Sequence, residues 1–196
     1  MTIAFDAIES RFRELRDFVL NDLNLLLGSP RGGNYAAALL IATACEALGH
    51  LRYESGGGSK FFEEYMLPEN WRPVSDSLFN ALRNGLAHRF APKVLLQVNS
   101  GPIELGISWR EKPHLRCDQE KGCVYLNITN MAQSLALAFE AYDSQLREDP
   151  VFRDRFDQRW GKGRVVEVQD ATERHAWRQL LSHNSASQPT PASGRG

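Results

Sequence analysis

Several familiar sequence signals are scarce in this chain of 196 residues. It has three cysteines, a small and odd number that argues against a disulfide scaffold and favours a reducing compartment. No apolar run reaches the ~18 residues of a membrane-spanning helix. The opening letters MTIAFD carry no basic segment of the kind that begins a signal peptide. We therefore expect a cytoplasmic protein with no membrane segment.

An excess of positive charge is missing as well. The formal net charge is −1, so the global field does not attract nucleic acid, and any RNA-binding surface must be local. The 42% hydrophobic fraction is enough for a sizeable core. Because domains usually hold about 100–200 residues, we expect a single domain over residues 1–182. The Ser-, Pro- and Gly-rich residues 183–196 predict a disordered tail.

Apolar periodicity predicts a mainly α protein, because steps of three and four residues recur along most of the chain. Residues 55–59 are glycine-rich and predict a flexible loop. Residues 93–126 alternate apolar and polar side chains, which predicts a small antiparallel β-hairpin or meander of three or four strands. Asn34, Ser75, and Asn127 or Thr129 stand at N-cap positions. The predicted helices cover residues 3–27, 35–52, 60–66, 75–90, 127–147, 150–160 and 171–181, and the one ending at 147 is expected to pack on the first.

The helix predicted over residues 75–90 carries three polar side chains off its apolar stripe. Apolar residues recur at every fourth position from Leu78 to Phe90, whereas Arg83, Asn84 and His88 lie elsewhere. Asn84 and His88 are one turn apart on the same face. Arg83 lies roughly 140° from His88 around the helix axis, and its long side chain can turn toward that face.

The letters RNGLAH at residues 83–88 resemble the R-x4-H motif of the HEPN superfamily, in its Arg-Asn-x-x-x-His form. The letters ACEALGHL at residues 44–51 resemble the acidic-residue helix of one bacterial branch of that superfamily. The resemblance covers roughly residues 1–150. It implies a HEPN-like up-and-down helical bundle, in which residues 93–126 form a β insertion. It also implies a homodimer through the motif helix, so that two Arg/His sets line one cleft.

The resemblance implies a metal-independent endoribonuclease that needs no cofactor. The ribose 2′-hydroxyl attacks the adjacent phosphorus, giving a 2′,3′-cyclic phosphate and a free 5′-hydroxyl, so RNA is the substrate and DNA is spared. His88 would transfer the proton, Arg83 would stabilise charge on the phosphoryl oxygens, and Asn84 would position the phosphate or the imidazole. In a toxin–antitoxin or phage-defence setting, an antitoxin or other regulatory protein would be a partner.

Two alternatives stay open from the residues alone. Arg83, Asn84 and His88 can form a structural polar cluster in a non-catalytic module that dimerises or binds a nucleotide or a protein. Glu46 lies near the end of a largely apolar helix, where a carboxylate is costly unless it is paired. It either meets solvent at the rim of the bundle or orients the Arg83 guanidinium, and the resemblance favours the second.

Other positive side chains are weaker candidates for contacts with RNA. They can bind phosphates, although a solvated helix face is the commoner meaning of such a run. These residues are Arg89, Lys93, Arg153, Arg155 and Arg159.

Two further features bear on metals and partners. His114, Cys117 and Cys123 supply three of the four ligands that structural zinc normally takes, so we predict no metal site and expect the two thiols to face each other across a hairpin. Some toxin members of the family carry a tyrosine two residues after the histidine, which a partner nucleotidyltransferase modifies. Phe90 stands at that position here, so the resemblance does not support such a partner.

Overall fold

The structure, a computed structural model, describes residues 5–29, 33–89, 94–98, 101–109, 113–163 and 170–186. The protein is mainly helical with a small four-stranded sheet, as the periodicity predicts. None of the helices in these ranges is both long and apolar enough to cross a membrane. The helices are α1 (Phe5–Gly28), α2 (Asn34–Arg52), α3 (Gly57–Phe61), α4 (Ser75–Arg89), α5 (Ile128–Glu148), α6 (Pro150–Gly163) and α7 (Ala171–Ala186); the strands are β1 (Val94–Val98), β2 (Gly101–Ser108), β3 (Arg116–Asp118) and β4 (Cys123–Asn127).

The chain divides into two compact units, Met1–Trp160 and Gly161–Gly196. In the second unit, the carboxylate of Asp170 accepts a hydrogen bond from the main-chain amide of Glu173 at 2.8 Å and so caps α7. The domain boundary predicted at residue 182 falls inside α7. The rest of the predicted tail, residues 187–196, lies outside the described residues.

The core of the first unit forms where α1 packs against α5, and this predicted packing is confirmed. Phe12 of α1 stacks on Tyr142 of α5, with ring centroids 5.2 Å apart, and lies 5.8 Å from the ring of Phe139. Phe156 of α6 meets Phe12 edge-on at 6.2 Å. All four rings are buried, and burying an aromatic side chain of this size contributes roughly 1.5–3 kcal/mol.

One of the predicted N-caps is confirmed and two are wrong. The side chain of Asn127 accepts hydrogen bonds from two main-chain amides in the first turn of α5. Asn34, in contrast, is already the first residue of α2, and Gly33 precedes it with φ 115°. Ser75 is the first residue of α4, and its hydroxyl donates to the Glu63 carboxylate at 3.2 Å rather than capping its own helix.

The prediction of a flexible loop over residues 55–59 is wrong for the second half of that segment, which belongs to a packed helix. α3 begins at Gly57 and continues into a π-helical turn, Phe62–Met66. A Cβ built on Gly49 of α2 would lie only 2.0 Å from the carbonyl oxygen of Gly57. Glycine lets two backbones approach this closely, so a composition typical of flexible loops marks a tight contact between α2 and α3.

The sheet is not the predicted all-antiparallel meander. Its strand order is β1-β2-β4-β3, and although β1/β2 and β3/β4 pair antiparallel, β2 and β4 pair parallel. The parallel register sets Leu105 beside Val124, and both side chains are buried. Alternating polarity identifies each strand's inner face but not its neighbour. Of the predicted insertion, Lys93 and residues 99–100 and 110–112 lie outside the described residues.

The two hairpin cysteines do not face each other, so that prediction is wrong. Cys117 is opposite Val124, and Cys123 is opposite Asp118. Because successive side chains of a strand point to opposite faces, the one-residue offset separates the thiols. Cys117 is exposed and Cys123 is buried, and both are free.

Candidate functional site

The apolar stripe of α4 sets the orientation of the helix about its axis, and this orientation determines which motif side chains reach the surface. Leu78, Leu82 and Leu86 are all buried, as their four-residue spacing predicts. Burying that stripe leaves Arg83 partly exposed and Asn84 exposed. α4 packs along α2, the helix that carries the acidic candidate.

Arg83 is held between the carboxylate of one helix and the amide of its own. Its Nε atom lies 2.9 Å from Oε1 of Glu46, and its Nη1 atom donates to Oδ1 of Asn84 at 2.9 Å. The pairing of Glu46 with Arg83 that the resemblance favours is therefore present. The Arg83 and Glu46 side chains are 37% and 40% exposed, so the pair contributes about 0–1 kcal/mol to stability. Its main effect is to orient the guanidinium.

Gly58 of α3 makes the room that Glu46 occupies. A Cβ built on Gly58 would lie 2.9 Å from Cγ of Glu46 and 2.7 Å from a ring atom of Phe79 on α4. α3 therefore packs against both helices that carry the ion pair. Sequence reasoning missed this function of the glycines, because the same residues are typical of a flexible loop.

The remaining motif residues are only partly described. His88 lies in the last turn of α4, one turn beyond Asn84, but its side chain lies outside the described residues, as does that of Arg89. Lys93 is outside them altogether. The convergence of the His88 imidazole with the Arg83 guanidinium therefore stays a prediction.

Two of the arginines proposed to contact RNA donate to the C-terminal end of α2. Nη1 of Arg155 lies 3.3 Å from the carbonyl oxygen of Arg52. Nη1 of Arg159 donates to the carbonyl oxygen of His50 at 3.1 Å and also to that of Tyr53. The last carbonyls of a helix lack partners within it and carry partial negative charge, so the two guanidinium groups satisfy them.

Arg153 makes the same kind of contact at another helix end. Its Nη1 atom donates to the carbonyl oxygens of Leu146 and Arg147 at 3.0 and 2.7 Å, in the last turn of α5. The three arginines of α6 are thus engaged by main-chain carbonyls. A phosphate would have to share them with these contacts.

A polar cluster around Arg52, which sequence reasoning did not single out, joins α2 to α5. Nη2 of Arg52 lies 2.8 Å from Oε1 of Glu64, and its Nε donates to the Tyr53 hydroxyl at 3.0 Å. The Tyr65 hydroxyl donates to Oε1 of Gln145 at 3.0 Å, and burial raises the pKa of Tyr65 to about 12. Because these groups satisfy one another, the cluster has a structural role.

His114, Cys117 and Cys123 are the residues considered for zinc. Within the described ranges, no group of three His, Cys, Asp or Glu side chains is arranged so that it could hold a metal ion. Nδ1 of His114 instead accepts a hydrogen bond from the main-chain amide of Asn127 at 3.2 Å. Burial lowers the pKa of His114, which keeps the imidazole neutral and able to accept this bond.

No family model, curated protein or solved structure matches this chain. The HEPN resemblance therefore stays a prediction from the sequence of residues 44–51 and 83–88.

Proposed function

We propose that this protein is a metal-independent endoribonuclease of the HEPN type. The observation that carries the proposal is the partly exposed Arg83 guanidinium, held by Glu46 on one side and Asn84 on the other. A guanidinium has five N–H donors, and these two contacts use two of them. A positioned planar donor of this kind suits the charge that grows on phosphoryl oxygens.

In the proposed reaction, the ribose 2′-oxygen forms a bond to phosphorus while the bond from phosphorus to the 5′-oxygen breaks. His88 takes the proton of the 2′-hydroxyl, or returns one to the leaving 5′-oxygen. Arg83 neutralises the phosphoryl oxygens, and Asn84 positions the phosphate or the imidazole. A homodimer through α4 would supply a second His88, so that one imidazole acts as base and the other as acid.

The cellular setting that we propose follows from the same resemblance. The nuclease would act in the cytoplasm in a toxin–antitoxin or phage-defence system and would need an antitoxin or other regulatory protein. Arg89, Lys93, Arg153, Arg155 and Arg159 remain proposed contacts to RNA.

A non-catalytic module is the second candidate, and one observation favours it. The contacts of Arg83 with Glu46 and Asn84 also suit a structural cluster that joins α2 to α4. Such a module would dimerise or bind a nucleotide or a protein. It predicts no cleavage of RNA and, if a nucleotide is the ligand, a rise in Tm when that nucleotide is added.

Incubation of purified protein with RNA and with DNA of the same sequence, in the presence of EDTA, tests the nuclease. We expect RNA to be cut to products with 2′,3′-cyclic phosphate ends and DNA to stay intact. His88→Ala and Arg83→Ala should abolish cutting without lowering Tm. His50→Ala, at an exposed position of α2, is the matched control and should cut like the parent. Cutting that EDTA blocks, or that survives His88→Ala, would contradict the proposal.

A further inference from the structure

Strand β1 lies at one edge of the sheet. The strand order is β1-β2-β4-β3, and β1 pairs with β2 along its whole length. Within the described ranges, no strand pairs with its other side. An edge strand presents a row of main-chain N–H and C=O groups on which another strand can add.

The two edges of the sheet differ in how they discourage such addition. Edge strands of monomeric proteins are usually very short or carry charges or proline. β3 follows this rule, because it has three residues, of which Arg116 and Asp118 are charged. β1 does not: its letters VLLQV contain no charge and no proline. Leu95 and Val98 are 59% and 40% exposed. β1 therefore presents apolar side chains to solvent where a protected edge strand would present charged ones.

The sequence of β1 is complementary to itself. When two copies pair antiparallel about a twofold axis at Leu96, Val94 of one copy lies opposite Val98 of the other, and Leu95 lies opposite Gln97. Antiparallel pairing keeps each position on its own face of the sheet, so positions 94, 96 and 98 share one face and positions 95 and 97 share the other. The register allows about four to six main-chain hydrogen bonds. An interface of this kind is isologous, the commonest kind in homodimers.

We infer that β1 is the interface with a second copy of this chain and that the two four-stranded sheets join into one of eight strands. This inference shares the homodimer with the proposed function and adds the strand that forms its interface. It needs no RNA and no catalytic chemistry.

The position of α4 connects this interface to the motif helix. α4 contacts β1 and precedes it by only a few residues. A twofold axis perpendicular to the joined sheet keeps both inner faces on the same side. The α4 helices of the two copies therefore lie on one side of the joined sheet. Two five-residue edges bury less than the ~1,200 Å² at the low end of standard interfaces, so a stable dimer needs further contacts, which α4 is placed to supply.

Sedimentation of the full-length protein in the absence of RNA tests the inference. We expect a dimer whose population rises with concentration. Leu95→Lys should weaken dimerisation about tenfold or more, because a lysine on an edge strand opposes strand addition and the two ammonium groups would lie diagonally across the twofold axis. At a concentration where the parent is monomeric, it should leave Tm unchanged. Leu137→Lys is the matched control, since Leu137 is an exposed leucine of α5 at 64%, and it should dimerise like the parent. A parent that stays monomeric up to about 100 µM, well above the Kd of a micromolar interface, would overturn the inference, and so would a Leu95→Lys variant that dimerises normally.

Disulfide trapping tests the register. In a Cys117→Ser background, which removes the exposed native thiol, a Leu95→Cys protein mixed with a Gln97→Cys protein should form a covalent dimer under mild oxidation. Each protein alone should form far less. Equal trapping by Leu95→Cys alone, or no trapping by the mixture, would overturn the antiparallel register at Leu96. A monomeric parent would contradict both the interface and the dimeric nuclease, whereas failed trapping in a protein that still cuts RNA would overturn the interface alone.

Discussion

The carboxylate of Glu46 orients the Arg83 guanidinium at little gain in stability, because both side chains are more than a third exposed. We predict that Glu46→Gln changes the free energy of unfolding by less than about 1 kcal/mol. It should lower the kcat of RNA cleavage on the order of 10- to 100-fold, since a small misplacement of a catalytic donor costs up to about 100-fold. Urea unfolding and cleavage at saturating RNA measure the two effects.

Glu140→Gln is the control for this substitution, because Glu140 is an exposed glutamate of α5. It should change neither the free energy of unfolding nor kcat. If Glu46→Gln lowers stability by several kcal/mol, the carboxylate holds the fold together, and its orienting role is refuted.

His114 should make the stability of the protein depend on pH. Burial lowers its pKa in the folded state below the ordinary value of 6.5, so the folded protein favours neutral imidazole. The contribution is fully present above pH 6.5 and is lost as the pH falls toward the lower folded pKa. We predict that the free energy of unfolding, measured by urea titration, decreases as the solution is acidified through this range.

His114→Asn should reduce that decrease, because the asparagine amide oxygen can accept the hydrogen bond from Asn127 but does not titrate. His50→Asn, at an exposed position, should keep the pH dependence of the parent. An unaltered slope in His114→Asn would show that other groups cause it.

Single residues differ in how far the sequence could predict their contacts. Glu46 was identifiable because a carboxylate in an apolar helix is costly unless it is paired, but the residues alone left solvent as the other possibility, and the resemblance favoured Arg83. Arg155 and Arg159 showed only their charge, because the sequence does not reveal which main-chain carbonyls lie at a neighbouring helix end. Every residue has the same main-chain carbonyl acceptor, so residue type does not show which carbonyls bind a distant arginine.

Among the elements, α2 and α3 meet at a contact that only glycine allows. A Cβ on Gly49 would overlap the main chain of Gly57, and main chain cannot rotate away as a side chain can. We predict that Gly49→Ala lowers the free energy of unfolding by at least about 3 kcal/mol, the upper range for overpacking. Thermal and urea unfolding measure this loss.

Gly161→Ala is the matched substitution in α6, where a Cβ would meet nothing within 4 Å. It should be neutral or raise stability by up to about 1 kcal/mol, the difference in helix propensity between the two residues. A Gly49→Ala variant as stable as the parent would refute the close approach of α2 and α3.

Helices and strands were predictable where the hydrophobic periodicity of their own segment determines them. The long helices α1, α2 and α5 begin and end within a few residues of their predicted bounds, because a 3.6-residue period is present in the letters themselves. The parallel pairing of β2 with β4 was not predictable, since it depends on how distant segments pack. The helix predicted over residues 60–66 is present, but its start at Gly57 was missed, because the glycines that permit its packing also weaken its helix signal.

For the molecule as a whole, the described core lies in the first compact unit. Its buried apolar side chains run from Ile8 to Phe156. We predict that a chain ending at Gly163 keeps its Tm within about 2 °C of the full-length value, since no described core side chain is removed. Calorimetry of the two proteins measures the difference.

A chain ending at Glu148 is the contrasting truncation, because it lacks the buried Phe152 and Phe156 of α6. Losing two core phenylalanines costs about 3–5 kcal/mol each. Together this is comparable to the whole 5–15 kcal/mol that stabilises a typical domain. It should show no cooperative unfolding. A shift of more than about 5 °C in the longer truncation would show that the second unit stabilises the first.

The contacts from α6 to the end of α2 have a consequence for biosynthesis. Arg155 and Arg159 follow the carbonyls they bind by 103 and 109 positions. On the ribosome, α2 is synthesised before α6. Until α6 is translated, the main-chain carbonyls at the end of α2 are hydrogen-bonded only to water. The hydrogen bonds at the end of α2 are therefore completed only after α6 has left the exit tunnel.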